Sequence, residues 1–361
     1  MTDLARAGRN LIVRCPDPLN AETRPEALIA SFLTPQADFY IRSHGPTPHL
    51  PDDHPIRIDG LVDRPASFTA AELKANFPVR TVAATMQCAG NRRAHLQHVA
   101  KTSGDPWDIG AIGNAEWTGV ALADVLAASV VREGAFFVGM TGADEVDVDG
   151  DVARYGASIP LAKARDRNVL IAWAMNGEPL TPEHGAPLRL VVPGYAGVRS
   201  PKWLTRIEVR DRPSDAPIQA KDYKLFPAQV AKDEADWDAG LTIEDMPVNA
   251  AICSPIDGAR ISAGHCTIHG YAIASGRPIS RVEVSTNDGI DWQQADIVAR
   301  PDTPWSWSQW SITVDISAGR HKLVVRAVDG AGQMQPERPE AVWNFAGYLS
   351  TAWHRLTLTA D

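Results

Sequence analysis

The sequence predicts an α+β chain in two units, a mixed α/β domain over residues 1–245 and an immunoglobulin-like β-sandwich over residues 246–361. Three observations lead there. At 361 residues the chain is long for one small core and suits two. From about residue 55 to 210, short apolar strands alternate with helical stretches, the pattern of a mixed sheet with helices. After polar connectors at 212–250, strands and turns recur regularly to the C-terminus, as they do in a sandwich.

The elements follow in order. Residues 1–50 are rich in proline and poor in periodic segments, which predicts an extended arm around a core. RTVAATMQC, ending at Cys88, reads as a buried strand, and VALADVLAAS, ending at Ser129, has helical apolar spacing. SIPLAKARD predicts a short helix, while PLRLVVPG and LTRIEVR predict strands. In the C-terminal unit the strands are TIHGYAIA, RVEVSTNDG, WQQADIV, WSQWSITVDI and HKLVVRAVDG. Asn287-Asp288-Gly289 marks a hairpin turn, because those residues tolerate positive φ.

Composition narrows the function. With 44% hydrophobic and 22% charged residues the chain is an ordinary globular protein. A net charge of −9 with scattered cations argues against wholesale nucleic-acid binding. An enzyme for a small anion would have to gather positive charge in a pocket. No apolar run approaches the ~20 residues of a membrane span. The N-terminus lacks the features of a secretory signal, so a cytoplasmic location is expected. Four cysteines show neither CxxC nor CxxCH spacing, which makes a zinc site, disulfide framework or attached haem improbable.

Three segments can carry chemistry. Met86-Gln87-Cys88-Ala89-Gly90-Asn91-Arg92-Arg93 ends a strand in a thiol, turns tightly and adds two arginines. Guanidinium groups favour the thiolate, a soft ligand that transition metals prefer. A buried cysteine acting as a small hydrophobe is the alternative on these residues alone. The loop Phe39–Pro48 holds Arg42 and His44 two residues apart, suited either to an anion or to an ordinary surface turn. The stretch His184–Leu204 sets His184, Arg189, Arg199 and Lys202 around a Gly-Pro-rich loop, suited to phosphate, although it is not a P-loop. Tyr155–Pro160 and Lys221–Lys224 would each pass alone as a strand start or a turn.

Together and in this order, the segments resemble the sulfite oxidase family of molybdopterin enzymes. The resemblance runs from about residue 35 to Trp343-Asn344-Phe345-Ala346-Gly347-Tyr348 and beyond. It implies a molybdopterin catalytic domain, then a sandwich that forms a homodimer. It implies molybdenum and molybdopterin as cofactor, with Cys88 as the metal ligand and Cys88, Arg42, Tyr223 and Arg93 as catalytic residues. Tyr40, Ile41, Arg42, Ser43, His44, Cys88, Asp144, His184, Arg189, Ser200, Pro201 and Lys202 are the implied cofactor contacts. The implied reaction is oxidation of sulfite to sulfate by oxygen-atom transfer, with electrons leaving singly to a separate acceptor such as a cytochrome c. Animal and plant sulfite oxidases carry an arginine where this chain has Ala346, as the related nitrate reductases do not. A nitrate reductase or S/N-oxide reductase running the transfer in reverse is therefore the second reading. A catalytically silent dimeric module is the third, against which an intact Cys88 argues.

Overall fold

The computed structural model describes residues 9–298 and 302–361. The strand Val79–Gln87 forms where the apolar run predicts it, and Cys88 follows directly at its end. It lies at the edge of a sheet ordered Glu178–Pro179, Leu170–Met175, Ile112–Ala121 and Val79–Gln87, with Arg189–Val191 also pairing on Leu170–Met175. VALADVLAAS divides: Val120 and Ala121 finish the strand Ile112–Ala121, and the helix is Leu122–Ser129. SIPLAKARD divides in the same way, with Leu161–Ala164 helical.

A second sheet is ordered Ala66–Phe68, Ile56–Gly60, Leu204–Arg210, Phe137–Val148 and Asp151–Pro160. The pairing of the last two strands shifts register between Thr141 and Glu145. Such a bulge re-aims side chains, and here it turns Asp144 into the interior. The two sheets and the helix Leu122–Ser129 enclose one apolar core that includes Ile58, Val125, Val138, Ile171 and Ile207.

The C-terminal unit is a two-sheet sandwich, one layer ordered Asn249–Ser254, Gly264–Ile273, Ser308–Ile316 and Asp296–Val298. The other is ordered Ala259–Ile261, His354–Ala360, Gly319–Asp329, Ile279–Ser285 and Gln293–Gln294. Inward residues such as Ile268, Val282, Val284, Trp310 and Leu323 form its separate core. The Asn287-Asp288-Gly289 turn joins antiparallel partners, with Asp288 at φ 60° and Gly289 at φ 88°. Its loop is longer than the dipeptide predicts, because Ser285 and Asn287 side chains bond Gly289 and Asp291 backbone N–H groups and hold Ile290–Trp292 out of the strand.

Two segments cross between the units. The N-terminal region is more ordered than an extended arm: Leu11–Pro16 and Leu19–Thr23 form a hairpin, and Pro25–Ala30 a short helix. Leu28 of that helix packs with Ala251, Tyr271 and Trp307 of the sandwich. In return, Ala346 and Tyr348 near the C-terminus join the core of the first unit.

Candidate active site

The end of the Cys88 strand, the loop after Phe39 and the stretch 183–203 converge on one cavity. Its walls include Tyr40, Arg42, Ser43, His44, Cys88, Asp144, His184, Arg189, Ser200, Pro201, Lys202 and Tyr223. Ser43 and Lys202, 159 positions apart in sequence, thus touch at 3.0 Å. Ile41 is the exception among the expected cofactor contacts. Its backbone bridges Ala21, and its side chain packs on Leu11 and Ala21, away from the cavity. Tyr40 and Arg42 face one side here and the residue between them the other.

The wall is strongly cationic. Arg189 is buried, donates to the carbonyls of His184 (2.9 Å) and Ser200 (3.2 Å), and lies over the Trp117 ring. Lys202 Nζ donates to Ser43 Oγ at 3.0 Å and to Glu183 O at 2.7 Å. Burial, and then the neighbouring Arg189, push its ammonium well below the usual lysine range. A buried cation held by neutral groups is short of an anion, as a phosphate site requires. Burial and then Lys202 and Arg189 push His184 down to about 3, so it is neutral at physiological pH.

Among the acidic residues of the wall, Asp144 is the buried one. Its Oδ1 is buried without a hydrogen-bond partner, and burial raises its carboxyl to about 6. An orphaned buried acceptor is costly unless a ligand supplies the donor. The N–H groups of a pterin are such donors. A soft sulfur from Cys88, an orphaned carboxylate and unneutralised cations are the donor set that a molybdenum–dithiolene–phosphate cofactor needs. The residues present fit that group.

At the mouth, Tyr223 Oη lies 2.7 Å from His44 Nε2. Burial raises the Tyr223 phenol to about 12, against the opposing pull of Arg42. Burial, then Arg42 and Lys202, push His44 well below the usual histidine range, so it is neutral. Tyr223 has a φ of 45°, and its N–H donates to Asp222 Oδ1 at 2.7 Å.

Arg93 does not line this cavity. It lies in an adjoining hollow of about 970 Å³ together with Arg42, His44, Asp222, Ala346 and Tyr348. Its Nε donates to Ala346 O at 2.9 Å, and its guanidinium stacks over Tyr348. Glycines make room for it: a Cβ on Gly90, Gly104 or Gly347 would come within 2.7 Å of the Arg93 side chain. This explains why glycine stands in both the Cys88 turn and the Trp343–Tyr348 segment. Ala346 itself is buried at the hollow's edge, its carbonyl used by Arg93.

Sequence reasoning missed several participants. Tyr155 lines the cavity and donates to Val198 O at 2.6 Å, although its segment reads as a plain strand start. Phe39, Met86, Glu183 and Trp203 also line it. Tyr348 stacks on Tyr223 at 4.7 Å and donates to Asp222 at 2.7 Å, a pairing across more than 120 positions that no local signal marks.

Comparison with known proteins agrees with this geometry. Residues 44–218 match the oxidoreductase molybdopterin binding domain, and residues 241–361 the Mo-co oxidoreductase dimerisation domain. Sulfite oxidase of Gallus gallus is 40% identical over 96% of this chain and 77% of its own length. Sulfite oxidase of Arabidopsis thaliana is 38% identical over 97% of this chain and 94% of its own. The chain spans 64% of the length of the mitochondrial sulfite oxidase of Homo sapiens. A nitrate reductase of Phaseolus vulgaris is 34% identical, over 94% of this chain but 41% of its own. In structure, the sulfane dehydrogenase SoxCD of Paracoccus pantotrophus superposes with a TM-score of 0.82 at 26% identity, over 99% of this chain and 92% of that one. The cofactor is molybdenum–molybdopterin, and the chain belongs to the sulfite oxidase family of molybdopterin-dependent oxidoreductases.

Proposed function

We propose that the protein oxidises sulfite to sulfate as a homodimer and passes the electrons singly to a separate protein such as a cytochrome c. The observation that carries this reading is the joining of Cys88 and Arg42 in one cationic cavity, with Arg93 in the hollow beside it. Identity near 40% to sulfite oxidases, against 34% to the nitrate reductase, favours it over nitrate reduction.

When bound, the cofactor supplies two-electron oxygen-atom transfer, and the protein supplies binding, orientation and electrostatics. Cys88 is the thiolate ligand. Asp144 would accept pterin N–H groups and Arg189, Ser200 and Lys202 would hold the cofactor's phosphate, with neutral His184 fixed in the wall by donating Nε2–H to Gln36 O at 3.1 Å. Arg42, with Arg93 behind it, supplies preorganised positive charge that draws the sulfite anion inward. Neutral His44 has one ring proton. Placed on Nε2, that proton is donated to Tyr223 Oη, leaving the tyrosine O–H to point at the substrate oxygen. The phenol is still protonated at neutral pH, so it acts as a hydrogen-bond donor.

Steady-state assays of holoenzyme, sulfite with ferricyanide or cytochrome c against nitrate with reduced viologen, test the reading. Turnover of nitrate but not of sulfite would replace it with the reverse reaction. Turnover of neither by fully metallated protein would favour a silent module.

A further inference from the structure

The turn bearing Cys88 is built on one side by the catalytic unit and closed on the other by the sandwich. On the catalytic side, backbone N–H groups of Cys88, Arg92 and Ala94 donate to Ala111 O (2.9 Å), Asp108 O (2.8 Å) and Trp107 O (2.9 Å). Residues 88–94 are thereby zipped along 107–111. Asn91 then ties this pair to the sandwich. Its Oδ1 accepts from Ala111 N–H at 3.0 Å, and its Nδ2 donates to Tyr271 Oη at 3.1 Å. Tyr271 belongs to the sandwich strand Gly264–Ile273, is fully buried, and donates its own O–H to Ile109 O at 3.0 Å. One sandwich hydroxyl therefore joins both edges of the zipped turn.

Other sandwich groups grip the same turn. Arg92, with a left-handed φ of 66°, sends its buried guanidinium into the sandwich. There it donates to Asn249 Oδ1 (2.7 Å), Ala250 O (3.3 Å) and Ala352 O (2.7 Å). The three acceptors are neutral, so removing the Asn249 side chain leaves a buried charge under-bonded. Leu349 N–H donates to Ala89 O at 2.8 Å. Three residues before Cys88, Thr85 N–H donates to Trp305 O at 3.0 Å, and Thr85 Oγ1 accepts from Trp307 N–H at 2.8 Å. Gripped before, within and after it, Cys88 cannot shift without breaking contacts to the sandwich.

We propose that the sandwich has a second role beside dimerisation: it fixes the direction of the Cys88 thiolate, with Tyr271 as the positioning residue acting through Asn91. Metal-ligand geometry is set by such outer contacts as much as by the ligand. The inference rests on the cofactor and holds whichever oxyanion is the substrate.

Tyr271→Phe tests it, because phenylalanine keeps the stacking on Trp307 (5.6 Å) and removes only the bridging hydroxyl. Dimer state by ultracentrifugation and molybdenum content should match wild type. Amide exchange in residues 88–94, followed by mass spectrometry on cofactor-free and loaded protein, should rise about tenfold or more, as loss of the two buried hydrogen bonds of the Tyr271 hydroxyl implies. The electron paramagnetic resonance signal of the half-reduced metal should change, since it reports metal–thiolate geometry. An unaltered signal overturns the proposal, whether exchange is unchanged or rises evenly over the whole sandwich, because Tyr271 would then stabilise only its own domain. Should Tyr271→Phe fail to fold, Asn249→Ala weakens the same grip through Arg92, with the same expected and overturning results.

Discussion

Asp144→Asn separates what the cavity costs the fold from what it gives the cofactor. In the unfolded chain this carboxyl titrates near 3.8, and in the folded protein near 6, because burial disfavours its charge. Between those values the folded state keeps a proton that the unfolded state has lost. Stability therefore falls as pH rises through that window, by about 3 kcal/mol in all. Asparagine fits the same space and carries no charge at any pH. Cofactor-free Asp144→Asn should thus be more stable than wild type by about 3 kcal/mol at pH 8. At pH 5 the advantage should be roughly half as large, since most wild-type molecules then hold the proton. Glu22, raised to about 7 by burial, titrates in both proteins and cancels in the difference. Thermal melts of both proteins across pH 5–8 would show a gap of roughly 5–10 °C at the alkaline end. With cofactor bound the order reverses: the variant loses a charged hydrogen bond to the pterin and should release cofactor about tenfold faster. A stability gap that is independent of pH refutes the raised carboxyl, and cofactor retention unaffected by the change refutes the assignment of Asp144 to the pterin.

Three further outcomes are expected. Tyr223→Phe removes the hydroxyl bonded to His44 and should lower kcat for sulfite about 10- to 100-fold with KM little changed; a raised KM with kcat unchanged would make Tyr223 a binding group instead. Ala346→Arg adds a cation at the edge of the hollow shared by Arg42 and Arg93 and should lower KM for sulfite several-fold; an unchanged KM in folded, metallated protein means that position 346 does not meet the substrate. Analytical ultracentrifugation at micromolar concentration should find a dimer, and a monomer there would count against the sandwich as the contact.

Much of this was legible in sequence because local rules dominate locally. The strand ending at Cys88, most sandwich strands and the cations of 184–202 follow from apolar period and glycine-proline punctuation and lie where those signals place them, whereas WQQADIV divides into Gln293–Gln294 in one sheet and Asp296–Val298 in the other. Boundaries moved where a strand runs directly into a helix, as at Ala121–Leu122, since an apolar run fits either period. The N-terminal hairpin was hidden by prolines that sit at its turn and edge, where a ladder tolerates them. In the site, the motif runs through consecutive residues, but Ile41 turns its side chain to Leu11 and Ala21 while Tyr40, Arg42, Ser43 and His44 line the cavity, a difference set by the neighbouring hairpin and not by the motif. Tyr155, Asp222 and Tyr348 were silent because their roles come from partners far away in sequence.

X-ray absorption at the molybdenum edge asks whether Cys88 carries the metal. Wild-type holoprotein should show the sulfur atoms of the pterin dithiolene and one more. Cys88→Ser should still fold and retain pterin, yet lose one sulfur scatterer, gain a lighter neighbour and lose turnover, since a hard hydroxyl replaces a soft donor. An identical sulfur shell in the two proteins would contradict the account and return Cys88 to the role of a buried structural cysteine.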